Sequence, residues 1–183
     1  RPLVIKVASI SSARIQVYFI DNEDYFRRKQ ISRDSDGKFF EDNGQRAIFF
    51  ARGVLETVKK LRWAPDVIHC HGWISHLVPI YLKKAYNGDP IFNGSRVVTS
   101  LYGEIAGESF SSDFKDNALF GGIRPSDLPL LDNPTGINLA ETAAMYSDGV
   151  IFGDKDVDPE LIKFCQNRNI PTLPFNEESM ASG

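Results

Sequence analysis

The sequence contains few of the residues that mark several large functional classes. Of its 183 residues only two are cysteine and three are histidine, and no apolar run approaches the roughly 20 residues of a membrane span. Cys70 and Cys165 lie far apart, so a reduced, cytoplasmic compartment is the simplest interpretation. With 24 acidic and 21 basic side chains the net charge is −3, whereas a nucleic-acid surface needs a basic face. We therefore expect neither a membrane nor a nucleic acid as a partner.

Common catalytic motifs are also missing. There is no nucleophile elbow, no Walker loop and no pair of carboxylates placed by spacing for acid–base work. Gly103 and Gly107 follow a predicted strand, but their spacing is not the dinucleotide pattern, and Glu104 and Glu108 would repel a phosphate. A plain loop is the favoured interpretation there. The charged run at 154–156 predicts solvated surface.

Short apolar strands alternate with helices along the chain. Residues 3–9 and 14–20 alternate between apolar and polar, which predicts an antiparallel hairpin at one side of the sheet. Apolar stripes and capping signals predict helices over residues 45–61, 73–86, 111–120 and 133–147 and from Pro159. Short apolar runs predict strands at 66–68, 96–101, 150–152 and, at an edge, 170–175.

This order of elements predicts an α/β fold in a single domain. We expect a Rossmann-like, doubly wound, mostly parallel sheet with helices on both faces and an antiparallel hairpin near the N-terminus. The strand at 66–68 is too short and apolar to alternate, so we expect it to be covered on both faces. In open sheets of this kind, ligands bind at the carboxyl ends of the strands.

The stretch at 63–84 contains the chemistry that the rest of the chain lacks. All three histidines, His69, His71 and His76, fall within eight positions, and Cys70 lies between the first two. Three imidazoles and a thiol are zinc ligands, but their spacing matches no common zinc pattern, so we expect no metal and no cofactor. Hydrogen bonds from the imidazoles to a ligand hydroxyl group are the favoured alternative.

Gly72 and Trp73 follow these histidines directly. Gly72 allows a tight turn and a close approach of the backbone to a ligand. An indole at the rim of a cleft can stack on a sugar ring, and the alternative is a tryptophan packed at the start of a helix. From the residues alone, the chain is a Rossmann-like domain whose strand edge suits a carbohydrate or a nucleotide.

Beyond these individual residues, a longer similarity extends over nearly the whole chain. Six collinear runs resemble the N-terminal domain of bacterial glycogen and starch synthases: VYFIDNEDYF (17–26), FEDNGQRAIFFARGVLE (40–56), WAPDVIHCHGW (63–73), PIYLKK (79–84), DPIFNGSRVVTS (89–100) and YSDGVIFGDKDVDPEL (146–161). The resemblance implies one half of a GT-B-type retaining glycosyltransferase. Such enzymes transfer glucose from ADP-glucose or UDP-glucose to an α-1,4-glucan, and their N-terminal domain mainly contacts the glucan and the transferred sugar.

The chain departs from the family at several polar positions. The His-Asp-Trp-His run of the family reads His71, Gly72, Trp73 and Ile74 here, and its later His-Asn pair aligns with Leu101 and Tyr102. We expect residues 1–183 to be one synthase N-terminal-like domain that lacks the family's first strand, its glycine-rich loop and its donor-nucleotide domain.

These departures leave two hypotheses about function. The chain is either a synthase fragment completed by other segments or a non-catalytic module that binds glucan or protein. In both cases we expect no catalytic residues in this chain alone, because transfer needs oriented contacts on both sides of the cleft. Within this chain the resemblance assigns glucan contacts to His71, Gly72 and Trp73, and it allows ADP-glucose as a ligand only with a donor domain.

Overall fold

The computed structural model of the chain describes residues 2–177. Its strands are β1 (Val4–Ile10), β2 (Ile15–Asp21), β3 (Val67–His71), β4 (Arg96–Leu101), β5 (Gly149–Phe152) and β6 (Thr172–Leu173). Its α-helices are α1 (Glu23–Phe26), α2 (Asn43–Leu61), α3 (Val78–Ile80), α4 (Phe114–Ala118), α5 (Gly136–Met145) and α6 (Pro159–Asn167). Short 3₁₀ turns connect several of these elements.

The four later strands form a parallel sheet in the order β3-β4-β5-β6. This confirms the predicted α/β class, the parallel sheet and the edge position of the last strand. The expectation that the strand near residue 67 is covered on both faces was wrong. β3 is an edge strand within the described residues, and Val67 is 58% exposed. The apolar character of a short strand does not reveal its place in the sheet.

The N-terminal strands pair antiparallel as predicted, but they form a separate two-stranded sheet. The hairpin is therefore not hydrogen-bonded at one side of the parallel sheet, as the sequence analysis expected. Tyr18 and Ile20 of β2 instead lie beside α2, together with Val54 and Leu61. The two strands form backbone hydrogen bonds with each other. The alternating pattern of their residues therefore does not indicate whether they also pair with the parallel sheet.

Helix α2 supplies much of the core on one face of the parallel sheet. Ala47, Ala51 and Leu55 recur at helical spacing and are fully buried. They belong to one apolar cluster with Cys70 and Val97, whose side chains project from the same face of β3 and β4. The opposite sheet face carries side chains that belong to neither apolar cluster: Val67, His69, His71, Val98, Ile151 and Leu173.

The single helix predicted over 73–86 is divided into three pieces. A 3₁₀ turn at Trp73–Ser75 is followed by α3 and then by a π-helical turn at Tyr81–Ala85. Proline is tolerated in the first turn of a helix but not in its interior, and Pro79 accordingly lies in the first turn of α3. The helix predicted over 133–147 begins later, at Gly136, because the Thr135 side chain caps it by accepting a hydrogen bond from the N–H of Asn138.

Candidate functional site

Polar side chains from β3 and β4 meet at the carboxyl edge of the sheet. His69 Nε2 lies 2.8 Å from Ser100 Oγ, and His71 Nδ1 lies 3.0 Å from the hydroxyl oxygen of Tyr102. The two imidazole rings lie side by side with centroids 3.9 Å apart and planes tilted by 40°, since residues two apart on a strand share a face. Burial, and to a smaller extent the neighbouring His71, lowers the pKa of His69. The edge thus presents an ordered row of hydrogen-bonding groups.

Gly72 forms the turn that follows β3. Its φ of 73° and ψ of 168° lie in a region that glycine alone occupies readily. The turn directs the backbone N–H of Trp73 to Glu104, whose Oε1 accepts a hydrogen bond of 2.6 Å. A Cβ atom added to residue 72 would lie 3.0 Å from the same oxygen. A side chain at position 72 would therefore crowd the glutamate oxygen that accepts this hydrogen bond.

A second carboxylate reaches this edge from the loop after β5. Asp154 accepts hydrogen bonds from the N–H groups of Gly103 (3.1 Å) and Asp156 (2.9 Å). Partial burial and the charge of Asp154 raise the pKa of Glu104, while the hydrogen bond from Trp73 opposes them. The loops after β3, β4 and β5 are thereby linked to one another through side chains.

The Trp73 indole lies in the core and is 2% exposed. Its ring centroid lies 6.1 Å from that of Phe39 and 6.3 Å from that of Phe110, and the Arg46 guanidinium lies over it at 6.0 Å. Of the two interpretations of this residue, the packed tryptophan matches this position. The indole is not available to stack on a sugar here, whereas its backbone N–H forms part of the turn.

Two of the three remaining family positions have lost their polar character. Leu101 is fully buried in an apolar cluster, and Ile74 is partly buried against the main core. The Tyr102 ring fills the space above Gly153, where a Cβ atom would lie 2.3 Å from Tyr102 Cε1. Tyr102 is therefore the polar group of these three positions that still reaches the edge.

His76 lies apart from the row formed by His69 and His71. It is buried, and both ring nitrogens lack a hydrogen-bond partner among residues 2–177. Burial lowers its pKa to about 3. The structure thus brings together two of the three histidines, not all of them.

The cysteines and acidic groups do not assemble into a metal site in residues 2–177, where no group of three or more potential ligands could hold an ion. Cys70 and Cys165 are both free and buried. Burial raises the pKa of the Cys70 thiol to about 12 and that of Cys165 to about 11. Neither thiol is a nucleophile at neutral pH.

Concave surfaces of substantial size lie elsewhere. Two cavities of about 600 Å³ each flank the contact between the hairpin and α2. One is lined by residues that include Phe49 and Arg52, and the other by residues that include Ile5 and Lys60. The described lining of these two cavities does not include His71.

Sequence reasoning missed Glu104 and Asp154 as members of this edge. It assigned the first to a plain loop and the second to solvated surface. The signal that could have found them is positional: Gly72, Glu104 and Asp154 all follow closely after consecutive parallel strands, whose carboxyl ends share one edge.

Comparisons with known proteins identify the family of the chain. The family of the starch synthase catalytic domain matches residues 3–165. The glycogen synthase of Chlorobium luteolum is 30% identical over 168 residues, covering 81% of this chain and 32% of that protein. The glycogen synthase of Chlorobaculum tepidum is 35% identical over 148 residues, covering 80% of this chain and 30% of that protein. The chain thus spans about a third of the length of these relatives.

The fold is shared with a solved structure. The catalytic domain of Starch Synthase IV from Arabidopsis thaliana, bound to ADP and acarbose, matches with a TM-score of 0.69 and 17% identity, covering 94% of this chain and 36% of that chain. No helix in residues 2–177 is long and apolar enough to cross a membrane. A cytoplasmic location stays a prediction. Because the family match covers most of the sequence, this chain belongs to the starch synthase catalytic domain family, as the resemblance in its sequence predicted.

Proposed function

We propose that the chain is the acceptor-side half of a glycogen or starch synthase that binds an α-1,4-glucan but does not transfer glucose by itself. The observation that carries the second part is the burial of Leu101. Where the family has a histidine close to the reacting sugar, this chain has an apolar side chain that is 0% exposed. The glycine-rich loop and the donor-nucleotide domain of a synthase would have to come from other segments or from another chain.

The polar row at the carboxyl edge supports glucan binding. Sugar hydroxyl groups both donate and accept hydrogen bonds, and neutral imidazole and phenol groups can do the same. His71 is exposed, and its Nε2 is not used in the contact with Tyr102. We assign to His71 a direct hydrogen bond to the glucan, to Gly72 the close approach of the backbone, and to Trp73 the anchoring of the turn in the core.

A structural neighbour supports the choice of ligands. Starch Synthase IV was bound to ADP and acarbose in the matching structure. By analogy, we infer that the edge of this chain contacts a glucan and that ADP-glucose would be bound only when a donor domain faces it. No cofactor or metal ion enters this proposal.

A transfer assay tests the inactive state. The purified chain is incubated with glycogen and radiolabelled ADP-glucose, and in parallel with UDP-glucose, and incorporation into polymer is counted. We expect no incorporation above a blank without protein, because buried Leu101 stands where the family has a histidine close to the reacting sugar. Measurable turnover by the chain alone would overturn this part of the proposal.

Affinity electrophoresis tests glucan binding. The chain should migrate more slowly in a native gel that contains glycogen than in a gel without it. His71→Ala should restore most of the mobility, because it removes an exposed hydrogen-bonding group from the edge. Gln166→Ala, on the exposed side of α6, is the matched control and should migrate like the unaltered chain. Equal mobility of the unaltered chain in both gels would refute glucan binding.

Protein interaction is a second candidate function, and exposed apolar side chains favour it. Ile10, Ile15 and Phe19 project from the same face of the hairpin and are half exposed or more. Contiguous exposed apolar surface commonly marks an interaction site. Light scattering over a range of concentrations tests this candidate. Protein interaction requires either an apparent mass above the 20.5 kDa of one chain or the capture of a partner.

A further inference from the structure

Glu104 occupies an unusual position for a residue whose role is only to hold a turn. One carboxylate oxygen accepts the N–H of Trp73, but among residues 2–177 no cation forms an ion pair with Glu104. The nearby charged group is another carboxylate, Asp154. Glu104 is exposed and Asp154 is half-buried, and a neutral acceptor would cap the turn without bringing these two negative charges close together.

The second oxygen of Glu104 has no hydrogen-bond donor within the described part of the chain. Glu104 also lies outside the six runs that carry the resemblance to the synthases. Because the Glu104 side chain is exposed, this second oxygen is open to a ligand. The residue lies at the same edge as Tyr102 and next to the turn that follows His71.

We propose that Glu104 is a ligand-contacting residue of the glucan site: one oxygen fixes the turn at Gly72 and Trp73, and the other accepts a hydrogen bond from a sugar hydroxyl group. This inference rests on the proposed glucan binding. A charged acceptor forms a stronger hydrogen bond than a neutral one, so a single hydroxyl group of the ligand is recognised strongly. The carboxylate also compensates for the absence of an acidic side chain at position 72.

The test measures binding of maltoheptaose to the whole chain by calorimetry at pH 7. Glu104→Gln retains an oxygen that can accept the N–H of Trp73 but removes the charge. We expect its affinity to be about tenfold lower, the usual effect of losing one charge-assisted hydrogen bond. Glu160→Gln, in the exposed first turn of α6, is the matched control and should bind like the unaltered chain. Urea unfolding of both variants shows whether the fold is retained.

The pH profile separates ligand contact from a purely structural role. In the unaltered chain, affinity should fall as acid protonates Glu104, in a step above the ordinary glutamate range because the pKa of this group is raised. Glu104→Gln should lack this step. Asp154, His69, His71 and Tyr102 face the same edge and are present in both proteins, so the difference between the two profiles isolates Glu104.

The outcomes distinguish the two proposals. If the unaltered chain and Glu104→Gln bind maltoheptaose equally, or if both show the same pH step, the role of Glu104 is refuted while glucan binding stands. If the unaltered chain does not bind, both proposals are overturned. If Glu104→Gln does not fold, Glu104→Asp replaces it: the charge remains but retracts by one methylene, and an unchanged affinity would refute the contact.

Discussion

The carboxyl edge of the parallel sheet and the N-terminal hairpin are built in opposite ways. At the edge, residues about 30 to 50 positions apart in sequence hold one another, as Trp73 and Glu104 do and as Gly103 and Asp154 do. In the hairpin, each strand pairs with its immediate neighbour, and Ile10 and Ile15 face each other while half exposed. Several contacts between residues distant in sequence therefore hold the edge in place, whereas the hairpin is held by pairing between strands adjacent in sequence. We expect changes at the edge to have the larger effects.

Gly136 gives the largest expected effect. Its N–H donates to the carbonyl oxygen of Glu108, and a Cβ atom added to it would lie 1.9 Å from the carbonyl oxygen of Ile105. Gly136→Ala should therefore push the loop after β4 away from α5 and destabilise the fold by about 3 kcal/mol, as overpacking against rigid atoms does. The free energy of unfolding in urea measures this cost.

Gly107→Ala is the matched control for that change. Gly107 lies in the same loop, and a Cβ atom added to it would meet no heavy atom within 4 Å. Its cost should stay below about 0.5 kcal/mol. Similar costs for the two variants would mean that the loop adjusts freely, and the contrast between a fixed edge and a local hairpin would fail.

His76 should make the stability of the fold sensitive to acid. Its pKa is about 3 in the folded chain, against 6.5 for an ordinary histidine, because burial disfavours the charged ring. Between these values the unfolded chain binds a proton that the folded chain does not, so stability falls as the pH decreases below 6.5. At pH 5 the loss from this group should be about 2 kcal/mol.

Unfolding of His76→Leu in urea at pH 7 and pH 5 tests whether His76 causes this loss of stability. An apolar residue of similar size removes two unsatisfied nitrogen atoms and cannot be protonated. The variant should lose less stability between the two pH values than the unaltered chain does, by about 2 kcal/mol. An equal loss in both proteins would show that His76 is solvated or hydrogen-bonded in solution.

The same contrast explains which structural features the sequence could predict. The stripe of α2 and the short strands follow from local periodicity, and their prediction was confirmed. The division of the helix predicted over 73–86, the edge position of β3 and the partnership of Glu104 with the turn at Gly72 were not predicted. They depend on which distant segment packs against which, and no local pattern encodes that information. The resemblance to the synthases identified the family, but Glu104 lies outside its motifs.

Removing one hydroxyl group from the edge should have a smaller effect on stability. Tyr102→Phe deletes the phenol oxygen that lies 3.0 Å from His71 Nδ1 and leaves the ring in place above Gly153. The loss should be about 1 kcal/mol or less, since this pair is partly solvated. Urea unfolding measures it. A loss above about 2 kcal/mol would mean that the pair is shielded from water and that the edge is less open than the structure indicates.

The hairpin should show the smallest effect. Ile15→Thr keeps a β-branched side chain in β2, and because half of the isoleucine is exposed, the free energy of unfolding should change by less than about 0.5 kcal/mol. Val150→Thr, in β5 where the side chain is 2% exposed, is the matched control and should cost about 2 kcal/mol by burying a hydroxyl group. If Ile15→Thr proved as costly as its control, the outer hairpin face would have to be covered in solution, by a second copy or by another protein. Light scattering of the unaltered chain would then reveal which, because self-association rises with its concentration and binding to another protein does not.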